Sequence, residues 1–416
     1  MRIQPFHGYR YANVGRDVSS VVAPPYDQIG PATQERLYQM SPWNVVRVTY
    51  PKDEADKYRR ARETLDRLLA EGVWQRDDRP AIYPYHQTYR VGGETVTRMG
   101  FVALGEVTPY GDGVVLPHER THAGPKKDRL ELLEATGADM GLLFMLVGDP
   151  AGDVLRATAP TGDPIAEARD LKGEIHRLWK ITEAAAVTRV QALMASRPVI
   201  IADGHHRYET AVEYATHHAG ARHKMMAFCT LEAPGLTIFP NHRLVHGVRD
   251  FDAGRFLEAA QPWFDVAPLA DPAAFRATNR TIGVVTPARA ATLTLRDAAF
   301  DAIPWPAGTS RAWRSLAVSI LHEGLLKPWL DITDEKLDAK THVDYTAEQS
   351  DAIAKGRGGR YQAAFLIAAA TPDELRTVVR GGELMPQKST HFYPKLLDGL
   401  VFHRLDVIAT SGRSCG

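Results

Sequence analysis

Pro198-Val199-Ile200-Ile201-Ala202-Asp203-Gly204-His205-His206-Arg207-Tyr208-Glu209-Thr210-Ala211 reads as strand, turn and helix in one run. Val199, Ile200 and Ile201 form the short apolar run of a buried strand. Asp203-Gly204 is a tight-turn dipeptide, because glycine accepts backbone angles other residues avoid. Tyr208, Ala211, Val212 and Ala215 then recur at helical spacing. A strand feeding a helix through such a turn aims free backbone N–H groups, two His and one Arg at one point. That point favours anions, phosphate above all. Asp203 beside three potential cations suits a group that meets both a phosphate and a metal.

Working outward, 416 residues at 44% hydrophobic and 24% charged suit a globular protein of two or three domains. Net charge is zero, which weighs against nucleic acid or an anionic membrane as partner. The two cysteines, Cys229 and Cys415, make neither a disulfide framework nor a cysteine zinc site, and fit a reducing cytoplasm. Met1 to His7 lacks the apolar core of a signal peptide, and no run reaches the length of a membrane span. The expected location is the cytoplasm.

On the N-terminal side, Ala23-Pro24-Pro25-Tyr26-Asp27 is a stiff corner, with Asp27 either capping a turn or standing on a pocket rim. Val45 to Tyr50 reads as a β-rich run. Asp53 is placed to cap a helix whose face carries Ala55, Tyr58, Ala61, Leu65, Leu68 and Leu69 and which ends at Gly72. Pro80 to Leu104 reads as a hairpin turning at Gly92-Gly93. Residues 142–147 are an apolar strand, 148–170 turns, and 174–196 helical. Beyond the central run, Met225 to Leu231, the β-rich Thr281–Leu295 and Ala363 to Ala369 read as strands, and a helix from Pro372 stops at Gly381-Gly382.

Two further stretches bear on chemistry. His118-Glu119-Arg120-Thr121-His122 spells the H-E-x-x-H pattern of zinc peptidases, which requires both His on one helical face. Pro117 before it and Gly124-Pro125 after it argue against a helix there. Glu119 can instead serve as a general base that takes a proton from a substrate hydroxyl. Lys388-Ser389-Thr390, after Met385-Pro386, offers a cation and two hydroxyls to a carboxylate or phosphate. A surface ion pair for Glu119, and a plain loop for 388–390, are the competing readings.

Taken in order, these stretches resemble the ParB/sulfiredoxin superfamily, nearest its free serine kinase branch. Asp203-Gly204-His205-His206-Arg207 is similar to its Gly-x-x-Arg box, Pro117-His118-Glu119 to its Pro-His-Glu segment, and Arg380-Gly381-Gly382-Glu383 with Pro386-Gln387-Lys388-Ser389-Thr390 to its C-terminal motifs. The whole chain also resembles a large uncharacterised bacterial family carrying the Pro-Pro-Tyr-Asp, His-Glu-Arg-Thr and Asp-Gly-His-His-Arg-Tyr segments. The chain departs from the small kinases by an extra residue in each of the last two matches and by a longer span between Glu119 and Asp203. A sulfiredoxin activity needs a reactive Cys where this chain has His205.

The resemblance implies an α/β (α+β) fold with a ParB/sulfiredoxin-like mixed-sheet core. The expected organisation is an N-terminal elaboration over 1–110, a nucleotide-binding core over 111–249, an inserted subdomain over 250–335 and a substrate-binding segment over 336–416. It implies phosphoryl transfer from ATP or ADP to the hydroxyl of a small metabolite, free L-serine first, giving O-phospho-L-serine. Glu119, Asp203 and His206 take the catalytic roles. Gly204, His205, His206 and Arg207 bind nucleotide. Lys388, Ser389 and Thr390 bind substrate, and Asp203 holds Mg²⁺. The alternatives are a non-catalytic or regulatory nucleotide-binding protein and a zinc hydrolase using His118, Glu119 and His122.

Overall fold

The computed structural model describes residues 1–12, 14–52, 55–121 and 123–405. Asp53, His122 and Cys415, singled out above, lie outside them. The chain is a mixed α/β protein that divides into two compact units. Among the described residues, unit 1 comprises those within 1–117, 121–236 and 394–405, and unit 2 comprises 118–120 and 237–393.

Unit 1 is built on a nine-stranded sheet. Its strands are β1 (Ile3–Gln4), β2 (Tyr83–Val91), β3 (Glu94–Glu106), β4 (Val115–Leu116), β5 (Leu143–Val147), β6 (Ala166–Arg169), β7 (Ile175–Leu178), β8 (Val199–Asp203) and β9 (His223–Thr230). Their order across the sheet is β4-β8-β5-β9-β3-β2-β7-β6, with β1 alongside β3. β4 runs parallel to β8 and β5 parallel to β9, while the other pairings are antiparallel, so the sheet is mixed. The β2–β3 hairpin turns at Gly92-Gly93, both at positive φ. β5 and β8 are buried on both faces, which is why they read as continuous apolar runs. Phe101, Met145, Val199, Ile201, Tyr208 and Phe228 lie in the core they share. The helices of this unit include α1 (Pro31–Met40), α2 (Lys57–Ala70), α3 (Ala123–Thr136), α4 (Ala184–Ala195) and α5 (His205–His217).

Unit 2 holds β10 (Thr237–Phe239), β11 (His242–Val245), β12 (Phe264–Pro268), β13 (Thr281–Val285), β14 (Ala290–Leu295), β15 (Val343–Thr346), β16 (Ala363–Leu366) and β17 (His391–Tyr393). Six of these form one sheet in the order β12-β14-β13-β16-β11-β15, and β10 pairs with β17. Helices α6 (Ala253–Ala260), α7 (Gln349–Arg357) and α8 (Pro372–Arg380) accompany them, with a helical run over 317–330 that widens to a π-turn at His322–Leu326. Leu244, Val285, Ala352, Ala364 and Leu366 centre its core.

Three local expectations fail for physical reasons. Val45 to Tyr50 is not a strand: Val46–Thr49 is a helical turn. Asn44 fixes it, its Oδ1 accepting the Val46 N–H at 2.9 Å and its Nδ2 donating to Val22 O at 3.0 Å. Side-chain capping and the burial of Val45, Val46 and Val48 outweigh β propensity there. Only the second half of 174–196 is helical, because Ile175–Leu178 alternates in burial and pairs with β2 and β6. The stretch 148–170 contains a short helix, Asp153–Ala157, and β6. Gly124 and Pro125 follow a stretch, 118–121, that is free of helix as read, but both themselves sit in the first turn of α3. The first backbone N–H groups of a helix have no intrahelical partner, so proline costs little there.

Candidate functional site

The central run folds as read. β8 carries Asp203 at its end and α5 starts at His205. The register of β8 against β5 shifts between Ile201 and Asp203, a bulge that re-aims the end of the strand. Gly204 holds φ +99°, and a Cβ there would stand 2.8 Å from Leu143 Cδ2, so glycine is required twice over. No side chain caps α5 at Gly204. Arg207 is buried, donating from Nη1 to Leu142 O at 2.5 Å and from Nη2 to Asp203 Oδ2 at 3.2 Å. Burial pulls its pKa down, and Asp203, Asp27 and Asp398 more than offset this, leaving it above the ordinary value. The other Asp203 oxygen, Oδ1, meets Lys395 Nζ at 3.5 Å. His205 is buried and His206 partly exposed. Asp203, Gly204, His205, His206 and Arg207 therefore sit on one turn of unit 1.

Below this turn lies a cavity of about 80 Å³ within unit 1. Arg207, Thr210 and Ala211 of α5 line it, with Tyr26, Arg129, Lys224, Asp139 and Asp398. Tyr26 is thus on a cavity wall, while its neighbour Asp27 is exposed in the turn Tyr26–Gln28. Lys224 pairs with Asp139.

The second group is in unit 2. Glu119 lies in a loop three residues beyond β4. Its Oε1 accepts the backbone N–H of Lys388 at 3.2 Å. His118 O accepts from Met385 N at 2.8 Å, and His118 Nε2 meets Thr390 Oγ1 at 2.9 Å. Residues about 270 apart in sequence are thereby joined at three points. Lys388 itself takes the left-handed conformation, φ +56°. Ser389 Oγ is turned inward onto Pro386 O.

Buried polar residues hold that loop from behind. Asn241 Nδ2 donates to Lys388 O and to Thr390 O, each at 3.0 Å. Arg243, fully buried, donates from Nη2 to Gln387 O at 3.1 Å and from Nη1 to Asn241 O. Its Nη2 also lies 3.3 Å from His322 Nε2 on the π-turn. Burial pulls the Arg243 pKa down to about 10, against the opposing pull of Tyr345 and Glu119. His322 is driven well below its ordinary value by burial, then by Arg243 and Lys327. Asn241, Arg243, His322 and Lys395 were missed in the sequence. The available signal was Pro240-Asn241-His242-Arg243, a polar run inside an otherwise β-rich stretch.

The peptidase pattern lacks its helix: residues 118–121 are outside any helix, and His118 already bonds Thr390. Among the described residues no group of three or more His, Cys, Asp or Glu side chains is placed to hold a metal. No described helix is long and apolar enough to cross a membrane.

The family is decided by residues 3–319, which match the profile described as "Protein of unknown function (DUF1015)". The chain belongs to that family. No curated protein matches it. Among solved structures, this DUF1015 member is similar to a conserved hypothetical protein from Pyrococcus furiosus at 14% identity, covering 74% of this chain and 96% of that one with a TM-score of 0.38. It is similar to a free serine kinase in complex with AMP at 13% identity, covering 72% and 92%, with a TM-score of 0.37. SbnI with a C-terminal truncation, from Staphylococcus aureus, follows at 12% identity, 75% and 90% coverage and a TM-score of 0.35.

Proposed function

We propose that this protein is a phosphotransferase, moving a phosphoryl group from ATP or ADP to the hydroxyl of a small metabolite, free L-serine first. The observation that carries the reading is the Lys388 N–H on the Glu119 carboxylate. It gives the candidate base a fixed place beside the Lys388-Ser389-Thr390 loop, whose Lys388 would grip the substrate carboxylate. Glu119 would take the proton of the attacking hydroxyl. The turn from Asp203 to Arg207 takes the donor role. His206 and the first N–H groups of α5 would face phosphate oxygens, and buried Arg207 would add positive potential from behind. Asp203 would be the protein ligand of Mg²⁺, an ion that commonly takes one carboxylate plus substrate phosphates, and the ion would neutralise phosphate charge. The ParB/sulfiredoxin resemblance of the three stretches supports the same roles.

The test is a mass-spectrometric assay of the full chain with Mg²⁺, ATP or ADP, and a pool of hydroxylated acceptors including L-serine. The expected product is O-phospho-L-serine. Glu119→Gln should slow its formation by about 10²–10⁴-fold. Turnover by Glu119→Gln equal to the unmodified protein would remove Glu119 from the mechanism.

A further inference from the structure

The cavity beneath α5 carries a carboxyl oxygen that accepts from no group of the described residues. Asp398 is 4% exposed and lines the cavity, and its Oδ1 has no hydrogen-bond partner among the described residues. A buried acceptor left unmade costs about 1–3 kcal/mol. The segment that bears it is held firmly, since Asp398 and Ala23 exchange backbone bonds at 2.8 and 3.1 Å. The space beside it, about 80 Å³, exceeds the room for one water several times over.

The wall chemistry restricts what fits. Three cations face the space, and each has its own acid: Arg207 with Asp203, Lys224 with Asp139, and Arg129 with Asp128. A ligand cation would face Arg207, Lys224 and Arg129, and a ligand anion would find those three cations already paired with their own acids. Either formal charge would therefore be desolvated with too little gained in return. Val48, Leu132, Leu133, Met140 and Ala211 supply an apolar remainder. We infer that this cavity is a binding site for a small uncharged molecule, with an N–H or O–H donor for Asp398 on a short hydrocarbon body. Burial pushes the Asp398 carboxyl up to about 7, against the pull of Arg207 and Lys224, which fits an acceptor still waiting for its donor. Of the residues given the donor role, only Arg207 lines the cavity, and the readout is binding and not turnover, so the two readings fail separately.

Three four-carbon probes differing in charge test it on the full chain: isobutyramide, isobutylamine and isobutyrate, followed by ligand-observed NMR at millimolar concentration. Isobutyramide should bind, and the two charged probes should bind at least tenfold more weakly. Asp398→Asn keeps a carbonyl acceptor and should retain isobutyramide, while Asp398→Ala should lose it by about tenfold or more. Ala211→Leu fills the cavity without touching the carboxylate and should abolish binding, which keeps the test decisive if Asp398→Ala fails to fold. A preference for either charged probe, binding that survives Ala211→Leu, or no isobutyramide binding at all would overturn the site and leave a water-filled void. None of these outcomes depends on whether serine is phosphorylated.

Discussion

At the level of single residues, two buried polar groups set measurable behaviour. Asp398 keeps a proton in the folded state up to about pH 7, whereas an unfolded Asp loses it near pH 4. Between those values the folded state binds more protons, so stability falls as pH rises, by up to about 1.4 kcal/mol per unit, and levels off above 7. Arg207, Lys224, Asp27 and Arg129 face this carboxyl, and burial outweighs the downward pull of the three cations on it. Asp398→Asn should therefore be more stable than the unmodified protein at pH 8 and gain nothing below pH 4, as read from urea midpoints at each pH. An advantage that is flat with pH would refute the assignment. Asn241 is the opposite case, a satisfied group. Asn241→Ala strands Lys388 O and Thr390 O and should cost about 2–3 kcal/mol. Hydrogen exchange should quicken over 387–391 before anywhere else in unit 2.

Among the elements, the loop 386–390 holds one residue in a conformation it disfavours. Lys388 at φ +56° costs about 1–2 kcal/mol relative to glycine. Lys388→Gly retains the N–H on Glu119 but removes the ammonium. It should raise thermal stability by about 1 kcal/mol while weakening any acceptor that needs its carboxylate gripped, a split that a purely structural lysine would not produce. No pattern in the sequence announces that strain, because Met385-Pro386-Gln387-Lys388 has no turn glycine where one would be expected. The opposite holds for β8 and α5. There apolar run, Asp-Gly turn and helical spacing agree, and all three were legible. The π-turn at His322 and the short Val46–Thr49 helix were not, since both depend on partners remote in sequence, Arg243 for one and the Ser20 and Val22 carbonyls for the other.

For the whole molecule, the mixed α/β class followed from the resemblance of the motifs, but the way the chain is shared out was not legible. Residues 394–405 follow the unit 2 strand β17 yet belong to unit 1. Apart from the two-residue strand His403–Arg404, they form no element that periodicity could reveal. They are nonetheless deeply built in. Phe402 is fully buried, stacked 5.2 Å from Tyr9 and edge-on 5.0 Å from Trp74. Arg98, itself buried, donates to Pro394 O at 2.5 Å, and Gln87 to Lys395 O at 2.9 Å. Leu397, Leu400 and Val401 are buried with them. Removing this segment would expose one side of the unit 1 core and take from Arg98 its Pro394 acceptor, leaving Gln87 Oε1. Burial of each such Leu, Val or Phe is worth about 1.5–3 kcal/mol, so the four together approach the entire stability of an ordinary domain. A chain truncated after Tyr393 should therefore lose the protection of β3, β5 and β9 amides from exchange. Phe402→Ala alone should cost about 3–5 kcal/mol and leave the unit 2 strands β13 and β16 protected as before. If β13 and β16 lost protection in step with β5, the two compact units would be one cooperative body, and the assignment of 394–405 to unit 1 alone would fail.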